Sequence, residues 1–332
     1  MRVLVTGGAG FIGSNLVDEL VKRNEVIVID NLSTGHESAI SQHYGKRNFK
    51  FIRADIRDYK KMEDACKGVE QIYHLAVQCL RVSLYDPDIV HEVNVTGTLN
   101  MCKAALNNRV RKFIYISSSE AYGSAQTVPM SELHPTEPTT IYGASKLAGE
   151  YYTKAFNRTY GLNTTIVRPF NTYGPREHFE GPYGEVIPKF SVRVLNNKPP
   201  LIFGDGNQTR DFTYVSDIVR GIILAANSEE LNCDVINIAY GQEVSIKDIA
   251  KYVLSYLNSD LKPKYCDPRP GDVLRHYADI SKAKNMLKFK PKINIKDGIE
   301  MYLDWLKSQN IDFSKETDFN WLNDEKGTNH RR

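Results

Sequence analysis

The sequence lacks the features that would place this chain in several large functional classes. Its five cysteines (Cys66, Cys79, Cys102, Cys233, Cys266) are odd in number and widely spaced, with no Cys-x-x-Cys and no interleaved histidine pair. That pattern excludes a disulfide framework and a zinc site, and it predicts reduced, mostly buried thiols and no metal. Excess charge is also missing. Lysine and arginine number 43 against 40 aspartates and glutamates, a net +3, so nothing marks an electrostatic footprint for nucleic acid or an anionic membrane. No apolar run approaches the roughly 20 residues a membrane helix needs, and residues 1–6 read as a core strand instead of a signal peptide. A cytoplasmic location is therefore expected. No internal repeat or low-complexity segment interrupts the 332 residues, of which 41% are hydrophobic and 25% charged. That is enough for one large or two modest domains.

What is there begins at the first residues. Val3-Leu4-Val5 reads as a buried strand that runs into Thr6-Gly7-Gly8-Ala9-Gly10-Phe11-Ile12-Gly13 and an amphipathic helix over 11–23. Glycines at 7, 10 and 13 let the backbone turn tightly and approach a pyrophosphate at the positive end of that helix. A second strand, 25–29, ends at Asp30. There a carboxylate accepts hydrogen bonds from an adenosine ribose and repels a 2′-phosphate. Neither arginine nor lysine follows in Asn31-Leu32-Ser33-Thr34-Gly35, which favours NAD over NADP. A third strand, 48–53, leads to Ala54-Asp55-Ile56, and a fourth, 69–75, closes with His74-Leu75-Ala76, His74 being a packed strand residue in this reading. A long helix over 86–107 carries Asn94-Val95-x-Gly97-Thr98. The alternation of strands and helices to about residue 170 predicts an α/β fold built on a doubly wound parallel (Rossmann) sheet.

Chemistry concentrates later. Phe113-Ile114-Tyr115-Ile116 is apolar without alternation, as a fully buried strand is, and Ser118 and Glu120 sit at its carboxyl end, the edge where ligands bind in such sheets. Tyr142 and Lys146 stand four apart at the start of a helix over 142–158, so both leave one face. A tyrosine with its ordinary pKa of about 10 is a poor base at neutral pH. A nearby ammonium and a cationic nicotinamide ring favour the phenolate, which would let Tyr142 take a proton from a sugar hydroxyl. After a strand over 163–168 the alternation breaks down. A polar, turn-rich segment (177–185) enters a second, smaller α/β lobe of helices over 186–196, 216–227 and 245–257, strands near 201–203, 212–214 and 235–239, and a helical pair from 280. The expected organisation is a cofactor domain over 1–170 that includes Ser118, Tyr142 and Lys146, a lobe mainly for substrate over 171–320, and a polar tail over 321–332.

These motifs, ordered and spaced as they are, make residues 1–306 resemble the nucleotide-sugar epimerases and dehydratases of the extended short-chain dehydrogenase/reductase family. The resemblance implies that Gly7, Gly10, Phe11, Ile12, Gly13, Asp30, Asn31, Asp55, Ile56, Leu75, Ala76, Asn94, Tyr142 and Lys146 hold NAD. It implies that Ser118 and Tyr142 address the sugar, and that Asn171, Arg210 and Arg269 hold a nucleotide diphosphate, which guanidinium groups suit. The implied chemistry is a transient 4-keto sugar. Ser118-Ser119-Glu120 is similar to the corresponding motif of 4,6-dehydratases, whereas Asp30–Gly35 and Tyr277-Ala278-Asp279-Ile280-Ser281-Lys282 are more similar to UDP-glucose 4-epimerases. A UDP-hexose 4-epimerase, an isomerase, is the expectation. A 4,6-dehydratase with Glu120 as the C5 base, a UDP-glucuronate-type decarboxylase, and an NAD-sensing binding protein stay open beside it. Relatives also imply a homodimer paired through the helices over 86–107 and 142–158, with Ala104, Ala105, Leu106 and Tyr152 near the interface.

Overall fold

The computed structural model describes residues 1–179, 184–268, 274–309 and 313. In chain order its elements are β1 (Arg2–Thr6), α1 (Phe11–Leu20), β2 (Glu25–Asp30), β3 (Phe49–Arg53), α2 (Tyr59–Ala65), β4 (Gln71–His74), α3 (Pro87–His91), α4 (Thr98–Asn107), β5 (Lys112–Ile116), α5 (Ile141–Tyr160), β6 (Thr164–Pro169) and β7 (Thr172–Tyr173). There follow α6 (Val186–Leu195), β8 (Leu201–Phe203), β9 (Thr209–Arg210), β10 (Thr213–Tyr214), α7 (Val215–Asn227), β11 (Asp234–Ile238), β12 (Val244–Ser245), α8 (Ile246–Tyr256), β13 (Lys264–Cys266), α9 (Ser281–Leu287) and α10 (Ile295–Ser308).

Seven strands form one sheet in the order β11-β6-β5-β4-β1-β2-β3, and every pairing in it is parallel. Parallel strands need crossovers, which put helices on both faces and leave the strands apolar on both sides. The residues follow that demand. Val3 and Val5 face one layer with Leu16, Val17, Ile218 and Ile222, while Leu4 between them faces the other with Met62, Met101, Cys102 and Phe156. The chain winds outward through β2 and β3 on one side of β1 and through β4, β5 and β6 on the other. The strand order therefore reverses between β1 and β4, and a crevice opens at their carboxyl ends.

Three features depart from the pattern along the chain. The strand over 234–238, which the sequence places among the pieces of the second lobe, pairs with β6 from Asp234↔Thr165 to Ile238↔Pro169 and completes the main sheet. The single helix predicted over 86–107 is instead α3 and α4 joined by a π-helical stretch, Glu92–Gly97. Such stretches widen a helix by one residue per turn and gather at functional sites. Here it accompanies a close contact, since a Cβ on Gly97 would lie 2.4 Å from Ile56 Cδ1. Finally, Ala104 and Ala105, expected near a subunit interface, are fully buried beneath the sheet. They cannot present themselves to a partner. Among the described residues no helix is long and apolar enough to cross a membrane.

Candidate active site

The crevice widens into a cavity of about 780 Å³ whose walls come from the sheet edge and from the second lobe. Its floor is the turn after β1. Gly7 adopts φ +70°, and a Cβ there would sit 2.7 Å from the Ala76 backbone nitrogen; at Gly13 a Cβ would sit 2.0 Å from the Gly7 carbonyl oxygen. Only side-chain-free backbone closes this turn, and it leaves the start of α1 open to an anion. Gly10, Phe11, Ile12, Ile56, Leu75 and Ala76 line the same cavity. Asp30 lies at its edge. One carboxylate oxygen accepts from the Ala9 N–H (2.9 Å) and the other from the Leu32 N–H (2.8 Å). That leaves about half of the roughly four acceptor positions of a carboxylate. Asn31 donates to Asp55 Oδ2 (2.9 Å), and Asp55 also holds Arg57 through two side-chain contacts of 2.9 and 3.0 Å. Burial works to raise the Asp55 carboxyl, but the Arg57 and Asn31 bonds win and take it down to about 2. These residues fit a dinucleotide: a glycine cradle for the pyrophosphate and an acidic strand end for a ribose.

Asn94 is the exception among the residues expected at the cofactor. It does not line the cavity. It exchanges two hydrogen bonds with the Gln78 backbone (2.7 and 3.0 Å) and donates to Ser145 Oγ (2.9 Å). It thereby buttresses the cavity wall from behind and ties it to α5. The π-helical stretch lies outside any signal that helical periodicity carries, so this inward role was not legible.

The reacting end is assembled by two turns in contact. Ser118 follows β5 in extended conformation, and its Oγ accepts from the Glu120 N–H at 3.1 Å. Thr140 caps α5 by accepting from the Gly143 N–H (3.0 Å). A Cβ on Gly143 would lie 2.5 Å from the Glu120 carbonyl oxygen, so glycine there lets the two turns touch and brings Ser118 and Tyr142 to the same cavity wall. Lys146 is buried one turn on, with Nζ 4.5 Å above the Tyr115 ring. Burial pushes its ammonium down to about 7, partly opposed by Glu150. The phenol moves the other way from the sequence-based expectation. Burial raises the Tyr142 pKa and the Glu120 charge adds to that, against the Ser118 bond which lowers it. In the protein alone the desolvated ammonium is not the dominant influence on the phenol. His74, bonded to Thr6 Oγ1 (2.7 Å) and Thr98 Oγ1 (3.0 Å), is pushed down to about 3 by burial and the Lys146 charge, as suits a neutral strand residue.

A buried lysine shifted this far costs stability. Its amine is neutral in the folded protein above about pH 7, whereas the unfolded side chain stays protonated to about 10.4. Stability therefore rises with pH across that window, and the full penalty is present below it. Lys146→Met is expected to stabilise the cofactor-free protein against urea by on the order of a few kcal/mol at pH 6, the gain shrinking toward pH 10. Equal stability of the two proteins at pH 6 counts against this account.

On the lobe side, Asn171 and Arg210 line the cavity. The Asn171 Oδ1 is buried with no partner, an orphaned acceptor of the kind that a ligand satisfies. Arg210 donates from Nη1 to the Thr209 carbonyl (2.9 Å). Arg269 lies outside the described residues. Three cavity residues that sequence reasoning did not single out are Arg81, Glu177 and Glu185. Arg81 Nη2 meets Glu185 Oε2 at 3.3 Å. Burial, with the Glu185 charge behind it, pushes the Glu177 carboxyl well up. Nothing in their local spacing marks them, because loop and helix meet only in the folded chain. Among the described residues no cluster of histidine, cysteine, aspartate or glutamate could hold a metal ion.

A parallel doubly wound sheet with a glycine cradle at its switch point and a Ser-Tyr-Lys constellation beside it defines an NAD-binding enzyme of the short-chain reductase type. Residues 3–239 match the model of the NAD dependent epimerase/dehydratase family, and the chain belongs to that family. It is 40% identical over 316 residues to a putative UDP-glucose 4-epimerase of Methanocaldococcus jannaschii, covering 93% of this chain and 99% of that one. Among solved structures, a UDP-N-acetylglucosamine 4-epimerase from Methanobrevibacter ruminantium in complex with UDP-N-acetylmuramic acid superposes with a TM-score of 0.89 at 37% identity, over 93% of this chain and 98% of the other. A dTDP-glucose 4,6-dehydratase from Streptomyces venezuelae with NAD bound gives 0.87 at 31% identity, over the same shares.

Proposed function

We propose that this protein is an NAD-dependent nucleotide-sugar 4-epimerase that acts on a UDP-hexose. The observation that carries the reading is the meeting of Ser118, Tyr142 and Lys146 at the sheet edge, in one cavity with the glycine cradle and with Asn171 and Arg210. The epimerases among its relatives support it. Tyr142 takes the proton of the sugar 4-hydroxyl, and the Ser118 hydroxyl beside it steadies the oxygen as it becomes a ketone. Bound NAD supplies the acceptor of the C4 hydride and returns it. Asn171 and Arg210 hold the nucleotide diphosphate while the 4-keto sugar turns over and offers its other face, and Arg269 belongs to the same set by family likeness. A homodimer in the cytoplasm completes the proposal; α5 turns Ile141, Tyr151 and Tyr152 outward at 49%, 60% and 37% exposure, a face suited to pairing with a second copy.

A second reading has its own observation. Glu120 lies on the Ser118 turn within electrostatic reach of Tyr142, where it could remove a C5 proton from a 4-keto sugar and make the enzyme a 4,6-dehydratase. One experiment separates the two. Incubate the protein with UDP-glucose, UDP-N-acetylglucosamine, UDP-glucuronate, dTDP-glucose and GDP-mannose in deuterated water and weigh the products. A 4-epimerase never breaks the C5–H bond, so the expected product is an isomer of a UDP-hexose, unchanged in mass and free of deuterium, with Glu120→Gln slowing turnover only modestly. Loss of water with deuterium at C5 overturns the reading in favour of the dehydratase, and loss of carbon dioxide in favour of a decarboxylase.

A further inference from the structure

Glu150 is fully buried and lies one turn after Lys146 on α5, on the same face. Its Oε1 accepts from Ser117 Oγ (2.6 Å) and Arg168 Nε (2.7 Å), and its Oε2 from Arg168 Nη2 (2.6 Å). Ser117 is the residue before Ser118, and Arg168 belongs to the neighbouring strand β6. The Arg168 guanidinium stacks 4.3 Å from the Tyr122 ring, whose hydroxyl donates to Asn237 Oδ1 of β11 at 2.7 Å. One carboxylate thus ties the reacting helix to the ends of three strands.

Fold stability alone does not account for this arrangement. A buried Arg–Glu pair is weak grounds for stability, because desolvation offsets its attraction and apolar residues of like volume often serve as well. Here Arg168 Nη1 is left buried without a partner, so the pair is not even complete. The carboxylate does have an electrostatic target. Lys146 faces Glu150 from its own helix, Tyr115 from β5 beneath its ammonium, and His74 from β4; of these Glu150 alone brings negative charge. Facing Glu150 in turn are Arg168, Lys154 at 3.7 Å and Tyr115.

We propose that Glu150 is a positioning residue of the reacting centre: through Ser117 and Arg168 it fixes the turn bearing Ser118 against the helix bearing Tyr142, and its carboxylate is the counter-charge to the buried Lys146. The inference rests on the assignment of Tyr142 and Lys146 to that centre, but its test does not need turnover. Full-length protein labelled with 13C-lysine is titrated by NMR, the Lys146 signal being the one that Lys146→Arg removes. In Glu150→Gln the Lys146 midpoint is expected to fall by about one pH unit or more, the change that a single nearby charge brings, and Glu150→Asp, which keeps the carboxylate, recovers most of it. The double variant Glu150→Gln/Arg168→Gln removes both charges of the pair together and shows the same fall. In turnover, kcat drops by about tenfold, the equivalent of a one-unit shift, while KM stays within about twofold. An unchanged Lys146 midpoint in either folded variant overturns the proposal. So does failure of both to fold, which would make Glu150 a folding residue only. A wild-type protein with no turnover on any nucleotide sugar counts against the epimerase reading and leaves the titration standing.

Discussion

Tyr142→Phe is expected to lower kcat by about 10²–10⁴, the range that a positioned acid or base contributes, and to leave nucleotide-sugar affinity within a few fold. The substitution removes one oxygen and no ring carbon, so no large cavity forms and the contact of Gly143 with the Glu120 carbonyl oxygen is undisturbed. What disappears is the group that takes the sugar proton in the proposed mechanism. The direction of the phenol shift adds detail. Burial and the Glu120 charge hold the proton on Tyr142 in the protein alone, against the Ser118 bond. The activating positive charge therefore has to come with the bound cofactor, whose oxidised nicotinamide is cationic. Substrate affinity is measured by calorimetry and turnover by product mass. A variant that keeps most of its kcat shows that Tyr142 is not the base.

Gly13→Ala is expected to strip the protein of its cofactor. The new Cβ would sit 2.0 Å from the Gly7 carbonyl oxygen and 2.9 Å from the Gly8 Cα. Both are backbone atoms, which no rotamer change can move aside. The turn has to open, at the roughly 1–3 kcal/mol or more that overpacking costs, and every 1.4 kcal/mol lost from binding is about tenfold in affinity. Denaturing the purified wild-type protein should release NAD into the supernatant, since a redox-neutral cycle has no need to exchange it. The variant should release about a tenth as much or less. Equal NAD from both proteins removes the cradle from the account, and NADP in place of NAD contradicts the reading of Asp30.

Much of the site was legible along the chain because its parts are local. A buried strand, three glycines and a helix make a phosphate cradle within 13 residues, and their order survives folding unchanged. Asp30 ends a strand because the apolar run before it stops there. Tyr142 and Lys146 share a face because the helical repeat puts them there. The sequence by itself thus determined the parallel sheet to β6, the glycine turn, and the shared helix face of Tyr142 and Lys146.

Tertiary structure decided the rest. Whether β11 joined the lobe or the main sheet turned on pairing with β6 across some 65 residues of chain, and its apolar pattern suits either place. The bonds of Asn94 to the Gln78 backbone and Ser145 were decided by a π-helical stretch, of which periodicity carries no record. Ala104 and Ala105 went inward for a related reason, as the face a helix buries is chosen by what packs on it. The protonation of the site was decided last. Spacing put an ammonium near a phenol, but burial, the Ser118 bond and the charges of Glu120 and Glu150 set how tightly each holds its proton. Those are sums over neighbours in space, which only the folded chain brings together.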